Sequence, residues 1–400
     1  MRARGLGLPS TVVLLGITSL FTDVATEMIF PLLPVLIAAI GGSATYLGLI
    51  EGLADTTASF LKLASGYLGE RPTWRKPLVV GGYAIATVVR PFVALATAPW
   101  HVLVVRISDR IGKGLRSSPR DAMIAASVSR HDAGRAFGFH NAMDHAGAVI
   151  GPVTATLLLS RGVPLRTVFW IAALPGFFAL LAVFLTPNSP HAPDPSPGPE
   201  PTPSSNPAPA ARALPRALKS YCVILAVFAL GASSDAFLIL RAGNVGVPTA
   251  LLPLLWTFFN ASKLVSSYWG GSLSDRMPRA WLIVLGWFVY ALCYLGFALA
   301  EAPWHVWALF AVYGTYYGLT EPVEKALVRD ITSPAERARA YGVYNFVVGA
   351  CTLPAGLLTG FLWQEKSPAF ALATGAILAG VAALGLVIWA RTSGTLSNAT

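Results

Sequence analysis

The chain has 400 residues, of which 54% are hydrophobic and only 12% are charged. A soluble globular protein carries about twice that charged share, so the composition excludes a soluble domain and indicates a protein of the lipid bilayer. The net charge of +10 does not indicate a nucleic-acid partner, because the basic residues gather in alternate loops, as they do between membrane spans.

Apolar stretches follow one another along the chain, each long enough for a bilayer crossing, which takes about 20 residues. In the first part of the chain they lie near residues 10–40, 44–68, 77–97, 99–126, 134–160 and 165–186. In the second part they lie near residues 219–241, 248–273, 280–300, 303–328, 338–363 and 368–391. The sequence predicts an all-α membrane protein with twelve spans in two six-helix bundles, residues 1–186 and 218–400.

Residues 187–217, between the two bundles, are rich in proline. This composition is typical of an extended linker and not of a packed domain. The linker and the other basic loops fall on the same side of the predicted spans. The positive-inside rule therefore predicts that the linker and both termini are cytoplasmic, in a bacterial inner membrane.

Short elements of the first bundle return in the second. Pro99-Trp100-His101-Val102 returns as Pro303-Trp304-His305-Val306, an offset of 204 residues (303 − 99). Arg135 to Asn141 returns as Arg339 to Asn345 with the same offset (339 − 135). A constant offset over separate elements indicates two tandem copies of one membrane unit, and transporters built in this way hold their site between the halves.

The fourth span carries charged residues at steps of three or four, which places them on one helical face. They are Arg106, Asp109, Arg110, Lys113 and Arg116. A charge at the bilayer centre costs about 2.5–3.5 kcal/mol on insertion scales, so this face must line water or protein. We expect Asp109 to neutralise Arg106 or Arg110, which leaves an excess of positive charge that favours an anionic or zwitterionic solute. The alternative is that Lys113 and Arg116 only extend toward the cytoplasmic surface.

Further ionisable residues lie inside neighbouring spans. They are Asp23 and Glu27 in the first span, Glu51, Asp55 and Lys62 in the second, Arg90 in the third and Asp235 in the seventh. A carboxylate in a low-dielectric cavity near a cation can change its protonation as the cavity opens and closes, as proton coupling requires. The pattern is equally consistent with fixed ion pairs that hold the helices together.

Two loops resemble the G-x-L-x-D-R loop that follows helices 2 and 8 in the major facilitator superfamily. The matching residues are Gly66, Glu70 and Arg71 in the first bundle and Gly271, Asp275 and Arg276 in the second. Arg110-Ile111-Gly112-Lys113-Gly114 is similar to the R-x-x-Q-G motif of the same family, with Lys113 in place of the glutamine. The resemblance covers essentially the whole chain. It implies a conformational latch at the two loops and a role for Arg110 in proton movement.

The fifth span is similar to the antiporter motif of that family. The matching residues are Gly138, Gly147, Gly151 and Pro152, while Ala155-Thr156 replaces the closing Gly-Gly. The resemblance implies that this helix packs tightly at the seam between the bundles and that the protein is a proton-driven exporter.

His140 and Asp144 are four residues apart and share a face of the same span. They are consistent with a proton relay, with the site of a transition-metal exporter or with a hydrogen bond that packs helices. No third ligand at fixed spacing is visible, and the three cysteines are far apart in the sequence. We therefore expect no resident metal and no cofactor.

Together these features predict a secondary transporter that exports a small anionic or zwitterionic solute by proton antiport, with the two bundles rocking about a central cavity. Proton symport for uptake of an organic anion is the alternative within transport, and a receptor that never transports is a further one. No nucleophile with a base is visible, so we do not expect an enzyme. The expected partners are the solute, protons and the lipid bilayer, and we expect a monomer.

Overall fold

The computed structural model describes residues 8–128, 132–187, 215–274, 277–333 and 337–392. These ranges contain helices and short 3-10 turns, and no strand lies within them. The helices of the first half are α1 (Ser10–Ile29), α2 (Leu33–Ala39), α3 (Ala44–Leu68), α4 (Pro72–Val89), α5 (Pro99–Ala126), α6 (Ala133–Ser160), α7 (Leu165–Ile171) and α8 (Ala173–Leu185). Those of the second half are α9 (Arg216–Gly231), α10 (Ala236–Asn244), α11 (Leu252–Ser274), α12 (Arg279–Leu299), α13 (Pro303–Asp330), α14 (Arg337–Glu365) and α15 (Pro368–Thr392).

The described helices form twelve rods, because α1–α2, α7–α8 and α9–α10 each make one interrupted rod. Eight of these rods are long and apolar enough to cross a membrane. Three of the other four, α3, α5 and α13, carry buried charged residues, among them Glu51, Arg106 and Glu324. The all-α membrane fold is confirmed, while the count of twelve spans stays a prediction for those four rods. Of the predicted linker, residues 188–214 lie outside the described residues.

The break between α9 and α10 lies in the interior of the molecule. α9 ends at Gly231, and the chain is not helical again until Ala236. In a membrane protein such irregular backbone is tolerated where it is buried in protein or lines a water-filled cavity. The break thus marks the position at which the second half contributes to a site.

The two halves repeat one packing scheme. α5 packs against α3 and α4, and α13 packs against α11 and α12 in the same way. Glycines allow these close approaches: a Cβ on Gly114 would lie 2.6 Å from the Cβ of Leu61, and one on Gly318 would overlap the backbone of Ser266. Gly114 and Gly318 are 204 residues apart (318 − 114), so the sequence repeat is also a structural repeat.

The halves meet along α3 and α14, with a second contact between α6 and α11. At one end the seam is tight, since the backbones of Gly48 and Gly356 touch and Thr45 Oγ1 donates to Gln364 Oε1 at 3.1 Å. At the other end, beside Gly66, a groove of about 450 Å³ separates α3 from α14. The rings of Phe60 and Phe346 meet across this groove, with their centroids 5.8 Å apart. The bundles therefore pack most closely at the end opposite the one predicted to be cytoplasmic.

Candidate functional site

A cavity of about 340 Å³ lies between the two halves. The first half lines it with Asp23, Thr26, Glu27, Phe30, Glu51, Asp55, Arg90, Asp109, Arg110, Lys113 and Arg116. The second half lines it with Ala232, Ser233, Ser234, Asp235, Trp256, Tyr290, Tyr313, Tyr316, Tyr317 and Thr352. One wall is therefore ionic and the other largely aromatic.

Three arginines of the ionic wall region are held by carboxylates. Arg106 donates to both carboxylate oxygens of Glu51, from Nε at 2.9 Å and from Nη2 at 2.6 Å. Arg90 Nε donates to Asp109 Oδ1 at 2.7 Å, and Arg110 Nε lies 3.1 Å from Asp55 Oδ1, although it is not aligned for a hydrogen bond. Asp109 reaches Arg106 only at 3.9 Å. Asp109 therefore pairs most closely with Arg90, and the expected ion pair with Arg106 is present as a longer contact. These contacts largely neutralise the arginine excess.

Two cations of the same face have no such partner. Among the described residues, neither Lys113 nor Arg116 has a carboxylate within ion-pair distance. The Arg116 guanidinium lies over the ring of Tyr83, 4.4 Å from its centroid, and its Nη1 is buried without a hydrogen-bond partner. Arg116 is only 5% exposed, so it does not extend to the surface. The unneutralised positive charge of this wall is located at these two residues.

The carboxylates of α1 and of the α9–α10 break have no cation as a direct partner in the described part of the chain. Glu27 Oε2 accepts from Trp256 Nε1 at 2.5 Å, and Asp235 accepts from the hydroxyls of Tyr313 and Tyr317 at 2.7 and 2.8 Å. Within the described part of the chain, Asp23 has no hydrogen-bond or ion-pair partner. These three side chains are therefore not held by a cation, in contrast to Glu51 and Asp109.

The aromatic wall is a continuous set of ring contacts. Tyr316 lies with its ring centroid 5.0 Å from that of Tyr290, 5.9 Å from that of Tyr313 and 4.7 Å from that of Tyr317. These tyrosines pack against one another and also line the cavity. The same tyrosines thus serve both as core packing and as a cavity wall.

Several predicted residues lie outside this cavity. Lys62, Gly66 and Glu70 line the groove between α3 and α14, and the side chains of Glu70 and Arg71 are exposed. Gly271 lies in α11, whereas Asp275 and Arg276 lie outside the described residues. The predicted latch is therefore described on one side only.

His140 and Asp144 form a separate buried pair, with His140 Nδ1 3.7 Å from Asp144 Oδ1. His140 is 1% exposed, and neither ring nitrogen has a hydrogen-bond partner. In the described ranges, no group of three or more His, Cys, Asp or Glu side chains is arranged to hold a metal ion. The pair thus lacks the third ligand that a metal site would need.

The glycines of α6 pack against α1, within the first half. A Cβ on Gly147 would lie 2.6 Å from Leu20 O, and one on Gly151 would lie 2.6 Å from Val24 O, while Gly138 faces open space. For Gly147 and Gly151 the expectation of packing at the seam between the bundles is wrong, because both face α1 inside the first bundle. Pro152 lies within α6 beside Gly151.

A third buried carboxylate, besides Glu51 and Asp109, lies outside the set of predicted site residues. Glu324 of α13 accepts from Trp287 Nε1 at 3.1 Å and from the Tyr344 hydroxyl at 2.8 Å, and so joins α12, α13 and α14. The offset of 204 relates these three residues to Tyr83, Arg120 and His140. This alignment of the two halves could have indicated Glu324 from the sequence, because it pairs two sets of polar residues inside predicted spans.

Two repeated helical bundles with a polar cavity between them are the architecture of a secondary transporter of the membrane. The sequence profile of the Major Facilitator Superfamily matches residues 15–349 and 222–398. The chain belongs to the major facilitator superfamily of membrane transporters.

Known proteins agree with this assignment. The chain is 33% identical over 391 residues, 95% of each chain, to an uncharacterised MFS-type transporter of Methanocaldococcus jannaschii. It is 30% identical over 158 residues, 39% of this chain and 38% of the relative, to multidrug resistance protein MdtH of Photorhabdus laumondii. A bacterial homologue of the human lysosomal transporter Spinster, solved in an inward-facing and unoccupied conformation, matches with a TM-score of 0.72 and 17% identity over 97% of both chains. This last likeness concerns the fold alone.

Proposed function

We propose that this transporter exports a small anionic or zwitterionic solute in exchange for protons, by alternating access to the central cavity. The observation that carries the proposal is that some charged residues of the cavity are paired with each other and others are not. Arg90, Arg106 and Arg110 have carboxylate partners, whereas Asp23 and Glu27 face the cavity without a cation within ion-pair distance.

A carboxylate that no arginine holds can bind either a proton or the ammonium group of a solute. The two ligands exclude each other at one side chain, and such competition is the basis of exchange. Asp23 and Glu27 therefore suit proton antiport with a zwitterion, whose acid group has Lys113 and Arg116 within the same cavity.

Proton symport of an organic anion is the second candidate, and the unpaired Lys113 and Arg116 favour it. An anion bound at these cations does not compete with a proton on Asp23, so both would cross together. A metal cargo has less support, since His140 and Asp144 lack a third ligand in the described ranges.

Export, membrane sidedness and subunit state belong to the same proposal. MdtH, which matches part of the chain, is by its name a multidrug resistance protein, and this supports export. The basic loops support cytoplasmic termini and a cell-membrane location, and the central cavity is formed by one chain, as a monomeric carrier requires.

The direction of proton movement tests the proposal. Liposomes that contain the purified protein and a pH-sensitive dye are loaded with a solute from a panel of amino acids and organic acids, and are then diluted into solute-free buffer. Antiport acidifies the lumen as solute leaves, whereas symport makes it more alkaline. Solute efflux without a pH change in the lumen would contradict proton coupling, and an absence of efflux for every solute would favour the receptor.

A further inference from the structure

We propose that Lys113 and Arg116 form an acid-binding subsite of the central cavity, and that its ligand is a monoanionic aromatic carboxylate, either free or as part of an amino acid. The inference rests on the proposed function in one respect, namely that the central cavity is the solute site.

The first argument is the absence of internal partners for these two cations. The neighbouring arginines each have a carboxylate partner in the first half. Arg90 pairs with Asp109, Arg106 with Glu51 and Arg110 with Asp55. Lys113 is exposed, and Arg116 is buried and keeps Nη1 without a hydrogen-bond partner while it lines the cavity. A buried guanidinium N–H without an acceptor is costly, so an anion bound there would satisfy it.

The charges around the subsite favour a monoanion. Asp23 interacts electrostatically with both Lys113 and Arg116 across the cavity. Asp23 and Glu27 together balance the positive charge of Lys113 and Arg116, and they would repel a second negative charge on a ligand, so a monoanionic carboxylate fits better than a dianionic phosphate ester. Lys263 does not add to this charge, because its Nζ lies 3.7 Å from Glu321 Oε2.

The third argument is the wall opposite the cations. Tyr290, Tyr313, Tyr316 and Tyr317 present rings to the cavity, and aromatic rings pair favourably with other rings in stacked or edge-to-face geometry. The cavity volume of about 340 Å³ is at the small end of the range of small-molecule sites, roughly 300–1,000 Å³. A single ring with one acid group fits both the volume and the two walls.

Calorimetric titration of the purified full-length protein, without any gradient, tests this subsite. The probes are benzoate, cyclohexanecarboxylate, benzylamine and phenyl phosphate. We expect the wild type to bind benzoate most tightly, cyclohexanecarboxylate and phenyl phosphate more weakly and benzylamine least. Binding of benzylamine as tight as that of benzoate, or no binding of benzoate, would overturn the proposal.

Variants locate the subsite. Lys113→Gln should weaken benzoate binding by about tenfold or more, as expected for loss of a hydrogen bond to a charged group, and Lys366→Gln, which removes an exposed lysine at the opposite end of the protein, should not. Arg116→Gln should have a similar effect, whereas Arg116→Lys, which keeps the charge, should retain most of the affinity. Tyr316→Leu should reduce the preference for benzoate over cyclohexanecarboxylate. Unchanged benzoate affinity in both Lys113→Gln and Arg116→Gln would refute the assignment, and if Arg116→Gln does not fold, unchanged affinity in Lys113→Gln refutes it.

Binding and coupling fail independently in these experiments. If benzoate affinity falls in Lys113→Gln but solute flux moves no protons, the subsite is supported and only the antiport is refuted. If another solute shows proton-coupled flux but benzoate affinity is unchanged in Lys113→Gln, only the subsite is refuted.

Discussion

Glu51 of α3 holds Arg106 of α5 through two hydrogen bonds, of 2.9 and 2.6 Å, with both side chains buried. The Arg106 guanidinium also lies 5.6 Å from the ring centroid of Phe30. This pair therefore connects α3 to α5 near the end of α1. It supports the ionic wall of the cavity.

Glu51→Gln should destabilise the protein, because it leaves Arg106 buried with only the more distant Asp109, at 3.9 Å, as a counter-charge. Loss of one partner of a buried ion pair typically costs about 3–5 kcal/mol. Thermal unfolding in detergent measures the effect, and Glu301→Gln in an exposed loop is the matched control. The double variant Glu51→Gln with Arg106→Gln should recover part of the loss; equal stability of Glu51→Gln and wild type would show that the pair contributes little.

Arg110 should be needed for transport and not for folding. Its partner Asp55 has a side chain that is 41% exposed, so loss of this contact leaves little uncompensated buried charge. Arg110→Ala and Arg110→Lys should keep wild-type membrane abundance and monodispersity while solute flux falls. Normal flux in both variants would remove Arg110 from the mechanism.

Gly147 and Gly138 make a matched pair within α6. Gly147→Ala should weaken the contact of α6 with α1, because the new Cβ would lie 2.6 Å from Leu20 O and 2.8 Å from Asp23 Cβ. Gly138→Ala meets no atom within 4 Å and should be neutral or stabilising by up to about 1 kcal/mol through helix propensity. Unfolding temperatures of the two variants test this, and a Gly147→Ala variant as stable as wild type would contradict the described packing.

Asp23 is the first candidate for the proton-carrying carboxylate, followed by Glu27, since Glu51 and Asp55 have arginine partners. The groups that face Asp23 are Glu27 on α1, Lys113 and Arg116 on α5 and Asp144 on α6. Asp23→Asn should abolish solute movement driven by a pH gradient and preserve counterflow, which needs the rocking motion but no net proton transfer.

Four amide variants separate the carboxylates in this liposome experiment. They are Asp23→Asn, Glu27→Gln, Glu51→Gln and Asp55→Asn. If all four still concentrate solute to the wild-type ratio, another ion drives the carrier or the carrier is a facilitator.

The sequence by itself determined the class of protein and the location of its charges. Composition and span-length apolar stretches identify a helical membrane protein, and the offset of 204 residues predicts two equivalent bundles. Steps of three and four residues place Arg106, Asp109 and Arg110 on one face of α5, because helical periodicity alone decides which side chains share a face. The position of this face beside a cavity follows from the cost of exposing charge to lipid.

Only the tertiary structure decided which charges are paired and which are free. Glu51 forms an ion pair with Arg106 of another helix, 55 residues away (106 − 51), and Arg90 forms one with Asp109. Periodicity within one helix carries no information about such partners, because they depend on how α3, α4 and α5 pack together. For the same reason the sequence does not reveal that Gly147 and Gly151 of α6 face α1 and not the second bundle. The free cations and carboxylates that define the candidate site are what remains after this packing has neutralised the others.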